Sequence, residues 1–153
     1  MRRCIAMTLT LASTMTLQIA SAASAIVVTA AWSRPATDTA VVYATIANND
    51  ARPDRLVAAS SRIAGRVEFH ESMATAMPMG SMNGMPMRGE MLSMKPLAAI
   101  GIPAHGKRVL APGGYHLMLV DLRHDLKAGE TVPLRLHFAR AGWISVAVPV
   151  RST

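Results

Sequence analysis

A histidine and a methionine two positions apart, His116 and Met118, are the residues of this chain best suited to metal chemistry. They lie in the apolar run 113–120, GGYHLMLV, which predicts a β-strand. Because strand side chains alternate between faces, we expect these two to share one face and Leu117 and Leu119 to form core on the other. Donors at this spacing can converge on one ion if neighbouring strands or loops supply further donors.

Two residues upstream are candidates for those further donors. His70 ends the run RVEFH, in which Val67 and Phe69 are expected to face the core and His70 to face away from it. Met94 ends a methionine-rich segment. Imidazole and thioether are uncharged, borderline-to-soft donors, and a thioether is a poor ligand for Zn²⁺, Mg²⁺ or Ca²⁺ but a good one for Cu(I). The set of two histidines and two methionines therefore predicts a Cu(I) site.

The segment 73–94, MATAMPMGSMNGMPMRGEMLSM, contains eight methionines among glycines and prolines. Its glycines and prolines disfavour a regular helix or strand, so the sequence predicts a methionine-rich loop at 73–94 that rejoins the sheet near 91–95. The methionines before Met94 are possible auxiliary donors, for a second, weaker copper ion or for capture: Met73, Met77, Met79, Met82, Met85, Met87 and Met91.

Several interpretations compete with copper binding. A strand histidine is usually solvated and a strand methionine usually fills a core, while a methionine-rich loop can be a flexible insertion or a target for oxidants. A metal-free adhesion or assembly domain could use the methionines as an adaptable apolar contact. A blue-copper electron carrier is excluded, because it needs a cysteine thiolate and Cys4, the only cysteine, lies in a segment expected to be removed. The features in combination favour copper.

The N-terminus predicts export. Residues 1–22 have the layout of a secretory signal peptide, with Arg2 and Arg3 before an apolar run and cleavage expected between 22 and 25. Cys4 is too early for a lipoprotein cleavage site. We expect a periplasmic protein with one domain over 26–153 and no stable membrane insertion after signal cleavage.

The charge, the aromatic content and the pattern of apolar runs limit the expected partners and the expected fold class. Of the net charge of +7, Arg2 and Arg3 account for two, and the other basic residues are scattered from Arg34 to Arg151 without forming a run. Because aromatic residues also make up only 4%, nucleic acid is not an expected partner. Short β-type runs at 25–32, 40–48, 54–60, 65–72, 107–122, 131–139 and 142–150 predict seven to nine strands in an all-β sandwich or Greek-key barrel. No catalytic grouping of Ser, His and Asp or of paired carboxylates can be assembled, so the protein is not expected to be an enzyme.

With these residues in place, the chain resembles the PCu(A)C family of periplasmic copper chaperones, whose pattern is H-(M)-x10-M-x21-H-x-M. Met94, His116 and Met118 match the second half of that pattern, and MKPL, IPA, PGGYHLMLVDL and VPV are similar to family phrases. The resemblance implies a cupredoxin-like Greek-key β-sandwich that binds Cu(I). It also implies a cuproprotein acceptor, either the dinuclear copper site of a cytochrome c oxidase subunit or another copper chaperone. The alternative is a copper-buffering or resistance protein without specific delivery.

One spacing departs from the family pattern. Here 23 residues separate His70 from Met94, where the pattern has ten. Either His70 remains a ligand while the insertion loops out beside the site, or a methionine of the insertion replaces a family ligand. The flanking phrases VEFHE and MLSMKPL favour the first interpretation.

Overall fold

The computed structural model describes the backbone of residues 25–78 and 88–152, and side chains within 25–73 and 93–152. The described chain forms ten strands and no helix. They are β1 (Ile26–Ser33), β2 (Thr39–Asn48), β3 (Asp54–Ser61), β4 (Ala64–Pro78), β5 (Arg88–Leu97), β6 (Ile100–Ile102), β7 (Gly106–Leu110), β8 (Tyr115–Leu122), β9 (Thr131–Phe138) and β10 (Gly142–Pro149). Nothing in this part of the chain is a helix long and apolar enough to cross a membrane. The expected signal peptide, with its cleavage position, lies outside the described residues.

The strands form two sheets. One has six strands in the order β1-β2-β7-β8-β4-β5, and the other has four in the order β10-β9-β3-β6. The described strands pair antiparallel except for a short parallel contact between β7 and β8, and an isolated parallel bridge joins Ser33 to Val150. The predicted all-β sandwich is confirmed.

The core lies between the inward faces of the two sheets, and β9 shows why it forms there. Val132, Leu134, Leu136 and Phe138 alternate with exposed or half-buried residues, and all four are buried, as the period-two pattern predicts. The largest fully buried apolar side chains are Val42, Ile46, Leu56, Ile100, Ile102, Leu117, Leu119, Val132, Leu136, Phe138 and Val148.

A hairpin turn joins β9 to β10. Phe138 pairs with Gly142 across it. Gly142 has φ of +76°, a left-handed conformation in which a side chain would be strained. The carboxylate of Asp54, at the start of β3, accepts hydrogen bonds from the backbone N–H groups of Arg140 and Ala141. This turn is therefore anchored to the adjacent strand.

The loop predicted over 73–94 is too long, because β4 continues to Pro78 and the chain rejoins the sheet at Arg88, before the predicted 91–95. Residues 73–78 continue β4 and residues 88–94 belong to β5, and the two strands pair in unbroken register from Phe69↔Leu97 to Pro78↔Arg88. The glycines and prolines are compatible with this ribbon because β5 is an edge strand, where a missing N–H or side chain is tolerated. Residues 79–87 lie outside the described part of the chain.

Candidate metal centre

The candidate donors lie on the face of the six-stranded sheet that points away from the core. On neighbouring strands β4 and β8, Phe69 pairs with Leu117, and both are buried in the sandwich. The next pair is His70 and His116, directly opposite each other. Because side chains alternate along a strand, both histidines project from the outer face.

The two imidazoles are close enough to share one ion. Their ring centroids are 5.8 Å apart, with 28° between the ring planes. Two rings bound to one metal at about 2 Å per nitrogen have centres at most roughly 6.3 Å apart, so the observed separation fits. His116 is 3% exposed, and the His70 side chain is 14% exposed.

Each imidazole has one engaged nitrogen and one free nitrogen. Nδ1 of His116 lies 3.0 Å from the carbonyl oxygen of Gly114, and Nε2 of His70 lies 3.0 Å from Oε2 of Glu68. The other ring nitrogens, Nε2 of His116 and Nδ1 of His70, are buried and have no hydrogen-bond partner among the described residues. Buried polar atoms are nearly always paired, so two such nitrogens on facing rings are what a metal-binding pair would present.

Strand register brings the two methionines to the same face. Met118 lies directly opposite Glu68 on β4, and Met94 on β5 lies directly opposite Ser72. Glu68 and Ser72 flank His70 at two residues on either side, so both methionines are diagonal neighbours of His70. Diagonal neighbours are about 7–8 Å apart at the backbone, within reach of a long side chain. Met118 is half-buried, whereas Met94 is 61% exposed.

The other methionines are placed differently or not described. Met73 lies one residue beyond Ser72 and therefore on the opposite face from His70, and it is exposed. Met77 and Met91 have described backbones within β4 and β5. The remaining auxiliary candidates, Met79, Met82, Met85 and Met87, lie outside the described residues.

A charged group beside the histidines was not predicted from the sequence. Glu68 accepts a hydrogen bond at Oε1 from Nε of Arg66, at 2.7 Å, and Arg66 also pairs with Asp121. The hydrogen bonds from Arg66 and from His70 lower the pKa of Glu68 below its ordinary value. The sequence does contain a signal for this contact, the spacing Glu-x-His within a strand, because residues two apart share a face.

The fold is a two-sheet β-sandwich, and the outer face of its larger sheet brings together the histidines and methionines that were predicted as copper ligands. The family model described as "LpqE-like: Putative lipoprotein LpqE-like" matches residues 26–150. The chain belongs to this family, and the resemblance to PCu(A)C proteins is confirmed.

Individual relatives agree with this assignment. A putative lipoprotein of Leifsonia xyli subsp. xyli is 29% identical over 130 residues, covering 84% of this chain and 71% of the relative. The solution structure of Cu(I)-DR1885 from Deinococcus radiodurans is 30% identical, with a TM-score of 0.52, covering 86% of this chain and 83% of that one. The copper-bound PCuAC domain from PmoF2 has the same fold, with a TM-score of 0.63 at 24% identity over 84% of this chain and 94% of that domain.

Proposed function

We propose that the protein is a periplasmic copper chaperone that binds one Cu(I) ion and hands it to a cuproprotein acceptor. The ligands are His70, Met94, His116 and Met118. The observation that carries the proposal is the pair of buried ring nitrogens, on facing histidines, that lack a hydrogen-bond partner within the described part of the chain.

The donor types favour Cu(I) over other ions. Two neutral imidazoles and two thioethers supply no negative charge, so the bound ion keeps its own charge of +1. Zn²⁺ sites usually include a thiolate, a carboxylate or a third histidine, and Mg²⁺ and Ca²⁺ require oxygen ligands. Two similar proteins, DR1885 with Cu(I) and the PCuAC domain from PmoF2, are known in copper-bound form, which supports the same ion here.

The proposed ligands differ in solvent exposure, and this difference favours transfer of the copper ion to an acceptor. His116 is buried, while Met94 is largely exposed at the edge strand of the same sheet. An acceptor can therefore displace the exposed thioether first and take the ion in stepwise ligand exchanges. No disulfide competes with such a site, because none of its ligands is a cysteine.

The acceptor in this proposal is the dinuclear copper site of a cytochrome c oxidase subunit or another copper chaperone, and the protein performs no catalysis. The lipoprotein names of the matching family and relative support a location outside the cytoplasm. Without Arg2 and Arg3, which lie in the expected signal peptide, the net charge is +5, and a basic surface favours docking on an acidic protein surface.

A transfer experiment tests the handover. The Cu(I)-loaded protein is mixed anaerobically with the copper-free, soluble oxidase domain that carries the dinuclear site, and copper in each protein is measured after rapid separation. We expect direct transfer that is faster than transfer between the same proteins held apart by a dialysis membrane.

Equal rates with and without the membrane would contradict handover, because copper would then travel only as the dissociated ion. Binding of several comparable copper ions, lost when residues 79–87 are removed, would instead indicate a buffering or resistance protein.

A further inference from the structure

The two histidines of the candidate site present different nitrogen atoms. The free buried atom is Nδ1 on His70 and Nε2 on His116. We propose that Glu68 is a positioning residue, which accepts the Nε2 proton of His70 and thereby makes Nδ1 its copper-binding atom, whereas His116 binds through Nε2. This inference rests on the proposed function for the identity of the ion.

The tautomer of His116 follows from its partner. A backbone carbonyl can only accept a hydrogen bond, so the contact between Nδ1 of His116 and the oxygen of Gly114 requires a proton on Nδ1. In the neutral ring, Nε2 then carries the lone pair. Gly114 belongs to the turn before β8, so the backbone itself fixes this ring.

The tautomer of His70 depends on a side chain instead. An ionised carboxylate only accepts, so Glu68 requires the proton of the neutral His70 ring to be on Nε2. Arg66 donates to the other carboxylate oxygen of Glu68, and this divides the two oxygens between Arg66 and His70.

A carboxylate in this position acts on the ligand in two ways. Donation of the far N–H to a carboxylate raises the basicity of the metal-binding nitrogen, and it restricts rotation of the ring. Loss of such a partner typically lowers metal affinity by about 10- to 100-fold. Glu68 does not itself bind copper in this proposal.

The chain offers a matched control for the loss of a carboxylate. Glu71 is adjacent to His70 in β4 and lies on the opposite face of the strand, where it pairs with Tyr115 and Lys95 in the backbone register. Glu68→Ala and Glu71→Ala remove the same charge at similar distances along the sequence. Only Glu68→Ala removes the partner of the His70 ring.

The test combines a ring-proton measurement on the copper-free protein with a Cu(I) affinity. Long-range proton–nitrogen NMR spectra near pH 8 report which ring nitrogen of each histidine carries the proton. We expect the Nε2–H form for His70 and the Nδ1–H form for His116 in the wild type and in Glu71→Ala. In Glu68→Ala we expect a tautomer mixture for His70 alone, with Cu(I) affinity lowered about 10- to 100-fold.

A wild-type His70 that carries its proton on Nδ1, or a Glu68→Ala protein with unchanged His70 tautomer and Cu(I) affinity, would overturn the inference. Failure of the proposed function gives a different result. In that case the wild type binds no Cu(I), while the tautomers of the copper-free protein still report on Glu68.

Discussion

Ser72 on β4 lies directly opposite Met94 on β5, although 21 residues separate them in sequence. The residues beyond this pair continue the same antiparallel ribbon outward to Pro78 and Arg88. Residues inserted at the far end of a hairpin do not shift the register behind them. The additional thirteen residues therefore leave Met94 beside His70, as the first interpretation of the spacing expects.

Shortening the ribbon should leave the main site intact. We expect a variant in which Asn-Gly replaces residues 79–87 to keep one tight Cu(I) equivalent, because this dipeptide forms a two-residue hairpin turn between the paired strand ends. Any weaker copper binding should be lost with the removed methionines. Quantitative Cu(I) titration checks both points, and loss of the tight equivalent would place an essential ligand within 79–87.

The two proposed thioether ligands, Met94 and Met118, can be tested by substitution, with Met73 on the opposite face of the sheet as the control. Met94→Leu and Met118→Leu should each weaken Cu(I) binding by about tenfold or more, since each removes one donor while largely keeping the side-chain volume. Met73→Leu should leave the affinity unchanged, because Met73 projects from the opposite face.

X-ray absorption of the Cu(I)-loaded proteins provides an independent measurement for these three variants. The number of sulfur scatterers should fall by one in Met94→Leu and in Met118→Leu. An unchanged number of sulfur scatterers in both of these variants would show that neither Met94 nor Met118 is a copper ligand.

We expect the buried carboxylate of Asp54 to contribute to the stability of the fold and not to Cu(I) binding. It accepts hydrogen bonds from the backbone N–H groups of Arg55, Arg140 and Ala141. Asp54→Ala leaves these donors without their acceptor, so we expect the free energy of unfolding to fall by about 2–4 kcal/mol. Urea denaturation measures this, with exposed Asp125→Ala as the control. Cu(I) affinity should be unchanged, since Asp54 lies in the four-stranded sheet; a large loss of affinity would contradict this separation.

Stability should decrease in acid through Asp50. The backbone N–H of Arg52, together with the hydrogen bond and charge of Arg140, lowers the pKa of Asp50 in the folded protein. A carboxylate whose folded pKa is depressed stabilises the fold fully above its unfolded pKa of about 3.9, and this contribution is lost as the pH falls through the lower folded value. Urea midpoints between pH 2 and 7 should therefore fall more steeply with acid for the wild type than for Asp50→Asn. Parallel curves would contradict this role.

Much of the fold was predictable because the alternation of apolar residues is regular. In β9 the alternation of apolar residues coincides with the buried face, and in β8 the predicted alternation correctly placed Leu117 and Leu119 on the face opposite His116 and Met118. One strand was missed, and another was predicted only in part, near 91–95, for physical reasons. β6 has only three residues, and β5 is an edge strand whose Gly89 and Pro96 resemble loop residues.

The candidate site was predictable in its residue types and less so in its geometry. Residue spacing within a strand fixed the common face of His116 and Met118. The pairing of His70 with His116 depends on β4 and β8 being neighbours, which local patterns do not encode. The contact between Glu68 and His70 needs a shared strand face and a particular side-chain rotamer. The sequence spacing indicates the shared face, whereas the rotamer is seen only in the folded structure.

Anaerobic Cu(I) titration against a competing chromophoric chelator tests the central claim most directly. The wild type is compared with His116→Ala/Met118→Ala and with His124→Ala, which removes an exposed histidine outside the site. We predict one tight equivalent in the wild type and in His124→Ala, and none in the double variant. Equal tight binding in all three proteins, or no tight binding in the wild type, would contradict the account.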